Sequence, residues 1–410
     1  MLWTTKLDWP RGLSIAMTDS IPLVALPLKL FAGVLPPRFS AIELWLVLAY
    51  MAQPVAAVFA LRSAGERRLV PAVAVAAIAI SMPAFLLRQG HSALSSHFLI
   101  LLAIGSYFRM VTAGAGRRWL PPALQLGSFL IHPYLSFMVA GMLAAAPVSL
   151  LCRRDRRWRG AACVVAGGLA LTAATTALLG YGAEAPSGGF GVYSMNVMSP
   201  THPKFSEFFA VPDTIWGRSP WAWEGYQYLG VGMFVIIAGA AVTLGLSGLW
   251  RLLRRHVGLV AACLVLSALA VSNVVRVGDW FVVDFGPVPS FLNQLRISGR
   301  LFWPVAYLLL IGSVALIMGR ARSVVLAACI LLLGAVLQVA ETHGMRVAVD
   351  ANFRRRNTEP IDPARLADLV AHHAHVTVLP TEGCGLEPHA PAFLQIALAA
   401  SGQGATLNTM

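Results

Sequence analysis

Long, nearly uncharged apolar runs alternate along this chain with five short basic loops: Arg62 to Arg68, Arg109 to Arg118, Arg153 to Arg159, Arg251 to Arg255 and Arg320 to Arg322. These loops hold more than half of the 31 Lys and Arg residues. The segments on the other side of the runs are longer and richer in Pro, Gly and aromatic residues. This alternation leaves few folds open. It is the positive-inside pattern of a polytopic membrane protein, with the basic loops in the cytoplasm and the longer segments outside.

Composition agrees. Charged residues make up 12% of the 410 residues and apolar ones 57%, with a mean hydropathy of +0.70. Soluble domains carry about 25% charged residues, which excludes a soluble fold. The net charge of +13 would suggest nucleic acid in a soluble protein. Here much of it sits beside apolar runs, where it sets orientation and meets anionic headgroups. No basic stripe with interleaved aromatics argues for nucleic acid. The five cysteines, Cys152, Cys163, Cys263, Cys329 and Cys384, form no CxxC pair and no Cys/His metal spacing.

A helix needs about 20 apolar residues to cross the hydrocarbon core. The candidate spans are Phe39–Leu61, Leu69–Leu87, Leu94–Phe108, Trp119–Ile131, Tyr134–Leu151, Ala161–Gly180, Leu229–Leu249, Val257–Val275, Leu301–Met318 and Val324–Ala340. The region Trp119 to Leu151 reads as one long helix or as two broken at His132-Pro133-Tyr134. One helix would put two basic loops on opposite sides; two keep all five together, so two are expected. The first is then a half-helix lined by protein. Ile21 to Leu35 is short and interrupted by proline, and reads as a helix lying on the outer surface or tucked between others. The expected fold class is an all-α polytopic membrane protein of about ten transmembrane helices over residues 1–340, with a small α/β soluble unit over 341–410. In that unit Pro363 to His373 and Ala390 to Ser401 read as helices, and Val376 to Leu379 and Ala405 to Asn408 as strands. It is expected to be incomplete, stopping before a core can close.

Four outward-facing motifs carry the chemistry. Thr18-Asp19-Ser20-Ile21-Pro22-Leu23 offers Asp19 as a general base, or Asp19 or Ser20 as the N-cap of a helix. Arg88-Gln89-Gly90-His91 holds two groups suited to a phosphate by charge-assisted hydrogen bonds; an interfacial Arg and a structural His are the plainer reading, favoured for His97. The third runs from Gly188-Gly189-Phe190-Gly191-Val192-Tyr193-Ser194-Met195-Asn196 to Trp221-Ala222-Trp223-Glu224-Gly225-Tyr226. Its aromatics suit a sugar surface or an interfacial belt, and Glu224 is scaffold or acceptor binder. The fourth, Arg296-Ile297-Ser298-Gly299-Arg300, brings two arginines onto one helix face, against the orientation rule and therefore toward function.

The segments GLSIAMTDSIPLVALPLK, RQGHSALSSHFLIL, HPYLSFMV, GFGVYSMN, EGYQYLGVG and RISGRLFWP together resemble little-characterised bacterial polytopic membrane proteins of the GT-C glycosyltransferase type. The resemblance implies transfer of a sugar from a polyprenyl-phosphate donor to an envelope glycan or lipid acceptor, with inversion, on the periplasmic face of the inner membrane. It implies Asp19 as catalytic base and Arg88, His91, Arg296 and Arg300 as donor-phosphate ligands. Glu224 and Tyr226, with His132 and Asn196, would line the sugar or acceptor pocket. No metal site and no cofactor are read from the sequence; relatives of this type differ in metal use. GT-C chains begin with a transmembrane helix followed by the principal carboxylate, and no such helix precedes Asp19. The chain is therefore expected to lack its natural N-terminus and its C-terminal end, which leaves two alternatives: Asp19 is the base, or the base lies in the missing part and Asp19 is a second acid or a cap.

A flippase of lipid-linked glycans and a structural envelope-assembly protein are the alternatives. Transport pathways carry ionisable residues deep inside spans, and here span centres are almost free of them. That favours chemistry at the outer surface.

Overall fold

The computed structural model describes residues 3–14, 20–31, 33–36, 39–88, 90–113, 118–181, 189–211, 222–354, 361–379 and 390–409. Asp19, Gln89 and Trp221 lie outside these residues.

The apolar runs are helical because nothing else satisfies their backbone in lipid. In chain order they form α2 (Ile42–Ser63), α3 (Leu69–Ile80), the single turn α4 (Pro83–Leu86), α5 (Phe98–Ala113), α6 (Leu120–Ile131), α7 (Pro133–Cys152), α8 (Trp158–Leu179), α9 (Val231–Arg255), α10 (Val257–Val271), α11 (Trp303–Arg320) and α12 (Val324–Glu341). Ahead of them lies α1 (Pro22–Lys29), packed against α6. Its N-cap is Ile21, in the left-handed region at φ 43°, with no side-chain cap, so the helix starts one residue after the expected Ser20, and the other expected cap, Asp19, lies outside the described residues. Among the described residues five helices are long and apolar enough to cross a membrane: Ile42–Ser63, Pro133–Cys152, Trp158–Leu179, Ser298–Arg320 and Val324–Glu341. A sixth is a bent pair, broken near Gly245, whose φ of 62° no helix accommodates. The remaining apolar helices are shorter, so of the expected ten crossings five or six are shown by length and composition among the described residues.

Three boundaries differ from expectation. Leu69–Leu87 breaks at Ser81, and Pro83 restarts it as α4. Leu94–Phe108 becomes a helix only at Phe98. Val257–Val275 ends at Val271, because its valines enter a hairpin, β3 (Val274–Val277) with β4 (Trp280–Asp284). β-Branched residues suit either structure, so the sequence run alone did not separate them.

The break at His132 is a reversal. The Gln125 side-chain amide of α6 donates to the Ser136 carbonyl and hydroxyl of α7, at 3.3 and 2.7 Å. In one straight helix these residues would stand about 16 Å apart. All five basic loops meet at one end of the bundle. Arg109 Nε donates to Ser63 Oγ (3.1 Å), Arg157 Nη1 to the Thr112 carbonyl (3.2 Å), Arg153 Nε to the Arg255 carbonyl (2.6 Å) and Arg68 Nη1 to the Met318 carbonyl (3.3 Å).

After α12 come α13 (His343–Arg354), α14 (Pro363–Ala371), β5 (His375–Val376), α15 (Ala390–Gly402) and β6 (Thr406–Leu407). β5 and β6 pair in parallel, and Leu366, Val370, Ala400 and Ala405 make a core beneath them. This small core forms among the described residues of the unit. The opposite end of the chain helps. An N-terminal hairpin, β1 (Trp3–Thr4) with β2 (Leu13–Ser14), docks there. Trp9 N donates to the Leu407 carbonyl (2.9 Å), Leu407 N donates to the Lys6 carbonyl (2.8 Å), and the Trp9 ring stacks on His375.

Candidate functional site

At the end of the bundle away from the basic loops, two arginines and a glutamate from three distant segments converge inside the protein. Arg88 follows α4, in a stretch of irregular backbone between α3 and α5. Such backbone survives at membrane depth only when protein satisfies it. Here the Arg88 carbonyl accepts from His91 N (2.9 Å) and Ser95 Oγ (3.1 Å). Arg300 lies in a 3-10 turn, Ser298–Phe302, that leads into α11 through Pro304. Glu224 lies in a second such turn, Ala222–Gly225. All three side chains are buried.

Close approach of the backbones brings them together. A Cβ at Gly299 would come within 2.9 Å of Gly225 Cα and 3.0 Å of the Tyr193 carbonyl oxygen, so only glycine lets the three strands of chain touch. The motifs around Tyr193, Glu224 and Arg300 thus meet at one point. Glu224 Oε1 accepts from Arg300 Nη2 (2.8 Å), and its Oε2 accepts from Arg300 Nε (3.1 Å) and from Arg88 Nη1. His91 Nε2 stands 3.7 Å from Oε1.

Electrostatics assign the roles. Burial works to raise the Glu224 carboxyl, but Arg88 and Arg300 outweigh it and hold the group below the usual carboxylate range. It is therefore ionised at neutral pH and a weak proton acceptor: a fastener for two guanidiniums rather than a base. Burial brings Arg88 down to about 10, against the pull of Glu224, which leaves it cationic at pH 7. Among the described residues the centre sets two buried guanidiniums against one carboxylate.

Aromatic rings wall this centre. The Arg88 guanidinium lies 5.7 Å from the Trp303 ring centroid and that of Arg300 lies 5.8 Å from Tyr134. The Tyr134 hydroxyl accepts from Ile297 N (2.7 Å) and donates to the Gln294 carbonyl (3.3 Å), fixing the chain just before Arg300. His97 stacks on Trp303 with centroids 4.0 Å apart. Gln53 Nε2 donates to the Tyr307 hydroxyl (2.8 Å), which in turn bonds His97 Nδ1 (2.8 Å). The Tyr307 hydroxyl and His97 Nδ1 share one proton, whose owner depends on the His97 tautomer. Burial first, and then Arg88 and Arg300, push His97 well below the ordinary histidine value. Its Nε2 has no hydrogen-bond partner among the described residues.

The other expected site residues divide. His91 and the exposed Arg296 form the rim; Arg296 Nη2 donates to the Tyr193 hydroxyl (2.7 Å) and its guanidinium lies over the same ring. His132 caps α7 by accepting from Tyr134 N (3.2 Å), and burial, then Arg300 and His91, bring it down to about 3. Tyr226 is buried beside Phe205 and Tyr228. Asn196 is not in the cluster: its amide donates to the Gly278 carbonyl (2.8 Å) and accepts from Gly278 N (3.0 Å), which holds the β3–β4 turn. The expected base, Asp19, is outside the described residues. Among those residues no three His, Cys, Asp or Glu side chains gather as a metal site.

Sequence reading missed Tyr134, Tyr193, Trp303, the Gln53–Tyr307–His97 chain and Glu341. Gln53 had a signal, a polar amide inside an apolar run. Glu341 also had one, as the acid closing the last run. Its buried carboxylate accepts from Ser206 Oγ (2.6 Å), Tyr228 OH (2.7 Å) and Val231 N (2.6 Å), and so ties the segments around Ser206 and Tyr228 and the start of α9 to α12.

Fold and site together define a helical membrane protein with a buried arginine–carboxylate centre opposite its basic end. A family model described as a domain of unknown function, DUF6311, matches residues 1–343, and the chain belongs to that family. No curated protein and no solved structure matches it.

Proposed function

We propose that this protein is a glycosyltransferase of GT-C type that takes a sugar from a polyprenyl-phosphate donor on the periplasmic side of a bacterial inner membrane. The observation that carries the reading is the convergence of Arg88 and Arg300, buried and held by one carboxylate, at the end of the bundle away from the basic loops. When the glycosidic bond to a lipid phosphate breaks, negative charge grows on the departing phosphate oxygens. Preorganised guanidiniums in a water-poor site stabilise that charge far better than water does. His91 and Arg296 at the rim would guide the headgroup inward, and Tyr134 and Tyr193 offer rings against which a sugar face packs. An acceptor hydroxyl must lose a proton as it attacks the anomeric carbon from the opposite face. Glu224 is unsuited to that work, because its charge is committed to the arginines. Asp19 is the base this reading assigns, and base removal costs about 10²–10⁴-fold in rate.

The test is transfer from labelled polyprenyl-phosphate sugars in proteoliposomes. Transfer by the wild type, with a loss of at least about a hundredfold in Arg300→Gln, supports the proposal. Movement of lipid-linked glycan across the bilayer with no transfer from any donor would replace it with the flippase reading.

A further inference from the structure

The β3–β4 hairpin is an unusual element to find between two helices of this bundle, and its surface is more apolar than a water-facing hairpin needs. Trp280 is 79% exposed, Phe285 74% and Phe291 70%, with Phe281 and Val282 also exposed beside them. Exposed apolar side chains gathered on one element, as here, mark a contact with a partner or a membrane.

Three observations place the hairpin. First, α10 has 15 residues, a rise of about 22 Å, against a hydrocarbon core of about 30 Å. Arg254 and Arg255 hold its start at the basic end, so its other end does not project beyond the membrane. Second, the outer ends of α7, α10 and α11 share one level. The Ala270 carbonyl accepts from Met195 N (2.7 Å) and Ser298 Oγ (3.4 Å), and Ile297 N donates to Tyr134 OH (2.7 Å). Third, the turn is pinned to that level. Gly278 exchanges both hydrogen bonds with Asn196, the neighbour of Met195, and Val197 N donates to the Arg276 carbonyl (3.0 Å). The hairpin therefore lies along the ends of the helices instead of standing away from them.

We infer that the β3–β4 hairpin and the following Phe285–Phe291 segment form a lipid-contacting element that rests in the headgroup layer of the outer leaflet. The occupant of the apolar patch is phospholipid. α10, whose end carries the hairpin, likewise leaves Leu264 and Val265 uncovered. The charges on the element fix its depth. Arg276, Asp279 and Asp284 are exposed, and the hairpin has two unpaired strand edges. Neither is tolerated within hydrocarbon, whereas both are hydrated among headgroups, where Trp is enriched. The element needs only the membrane setting of the bundle and does not depend on the glycosyltransferase reading.

The experiment places the full chain in nanodiscs of phosphatidylcholine and phosphatidylglycerol brominated at a shallow or a deep acyl position. Trp280 fluorescence is read as the difference between wild type and Trp280→Phe, since the chain has 11 tryptophans. The inference expects the Trp280 component to lose most of its intensity with shallow bromines, less with deep ones, and little with aqueous iodide. Quenching by iodide and not by bromolipid would show a water-facing hairpin and overturn it. Protection from both quenchers would show a protein-covered hairpin and overturn it equally. A second probe, Phe285→Trp in the Trp280→Phe background, gives an independent reading, and an unchanged melting profile certifies each variant as folded.

Discussion

Glu224→Gln isolates the charge logic of the buried centre. The amide keeps the side chain's shape and one acceptor oxygen but removes the charge that Arg88 and Arg300 share. In the wild type that carboxylate accepts three hydrogen bonds from the two guanidiniums. Without it, two buried cations that already repel one another lose their common partner. Removing one member of a buried ion pair costs about 3–5 kcal/mol. Individual charge-assisted bonds are worth about 1.5–3 kcal/mol each, and a net loss below their total is expected because the amide oxygen still accepts. Unfolding of the detergent-purified protein in denaturant, followed by tryptophan fluorescence, should therefore show Glu224→Gln weaker than wild type by about 3–5 kcal/mol. Inorganic phosphate should restore much of this, because a mobile oxyanion replaces the missing carboxylate. At a hundredfold excess over its Kd a ligand contributes about 2.7 kcal/mol, and the wild type, with Glu224 in place, should gain less. A variant as stable as wild type without phosphate, or an equal phosphate response in the two proteins, would refute the reasoning.

Acid should weaken the fold in two stages. The Glu224 carboxyl is depressed in the folded chain, so its contribution is complete above the ordinary value of 4.5 and is lost as pH falls through the lower folded value. His132 is depressed from 6.5 to about 3, so the unfolded chain binds a proton in that interval that the folded chain refuses, and stability falls as pH drops from 6.5. Melting midpoints should hold between pH 7.5 and about 6.5 and fall from there to pH 4, and His132→Gln should flatten the upper part of that decline. Tyr307→Phe removes the link between Gln53 and His97 inside the bundle; denaturant unfolding should show a loss of about 1–3 kcal/mol, the cost of stranding buried polar atoms. Glu341→Gln places an amide where three donors converge, and the outer segment should loosen, measured as faster tryptic cleavage after Lys204.

The helical frame was legible because a long apolar run has one satisfactory backbone in lipid. The reversal at His132 was legible because only that reading keeps the basic loops together, and the Gln125–Ser136 contact is its physical form. The site was legible as a set of outward polar residues out of place beside apolar runs. What Glu224 does was not legible. Its partners lie 136 residues before it and 76 after it, and a carboxylate reads alike as binder, base or counterion until its neighbours are known. The same holds for Tyr134 and Tyr193, whose roles depend on which chain segments Gly299 and Gly225 allow to touch. The hairpin after α10 was hidden for a different reason, since a valine-rich stretch fits strand and helix equally well.

The docking of the N-terminal hairpin on the final strand has a consequence for how the chain is threaded. Trp9 and Leu407 share a hydrogen bond, so these residues stand on the same side of the bilayer. Whichever helices between them cross completely, their number is even. Inverting any one of them during insertion would carry Leu407 to the far side and leave Trp9 without its strand. The contact also awaits synthesis of residues 406–407, so Trp9 stacks on His375 only after an even number of intervening crossings has been made.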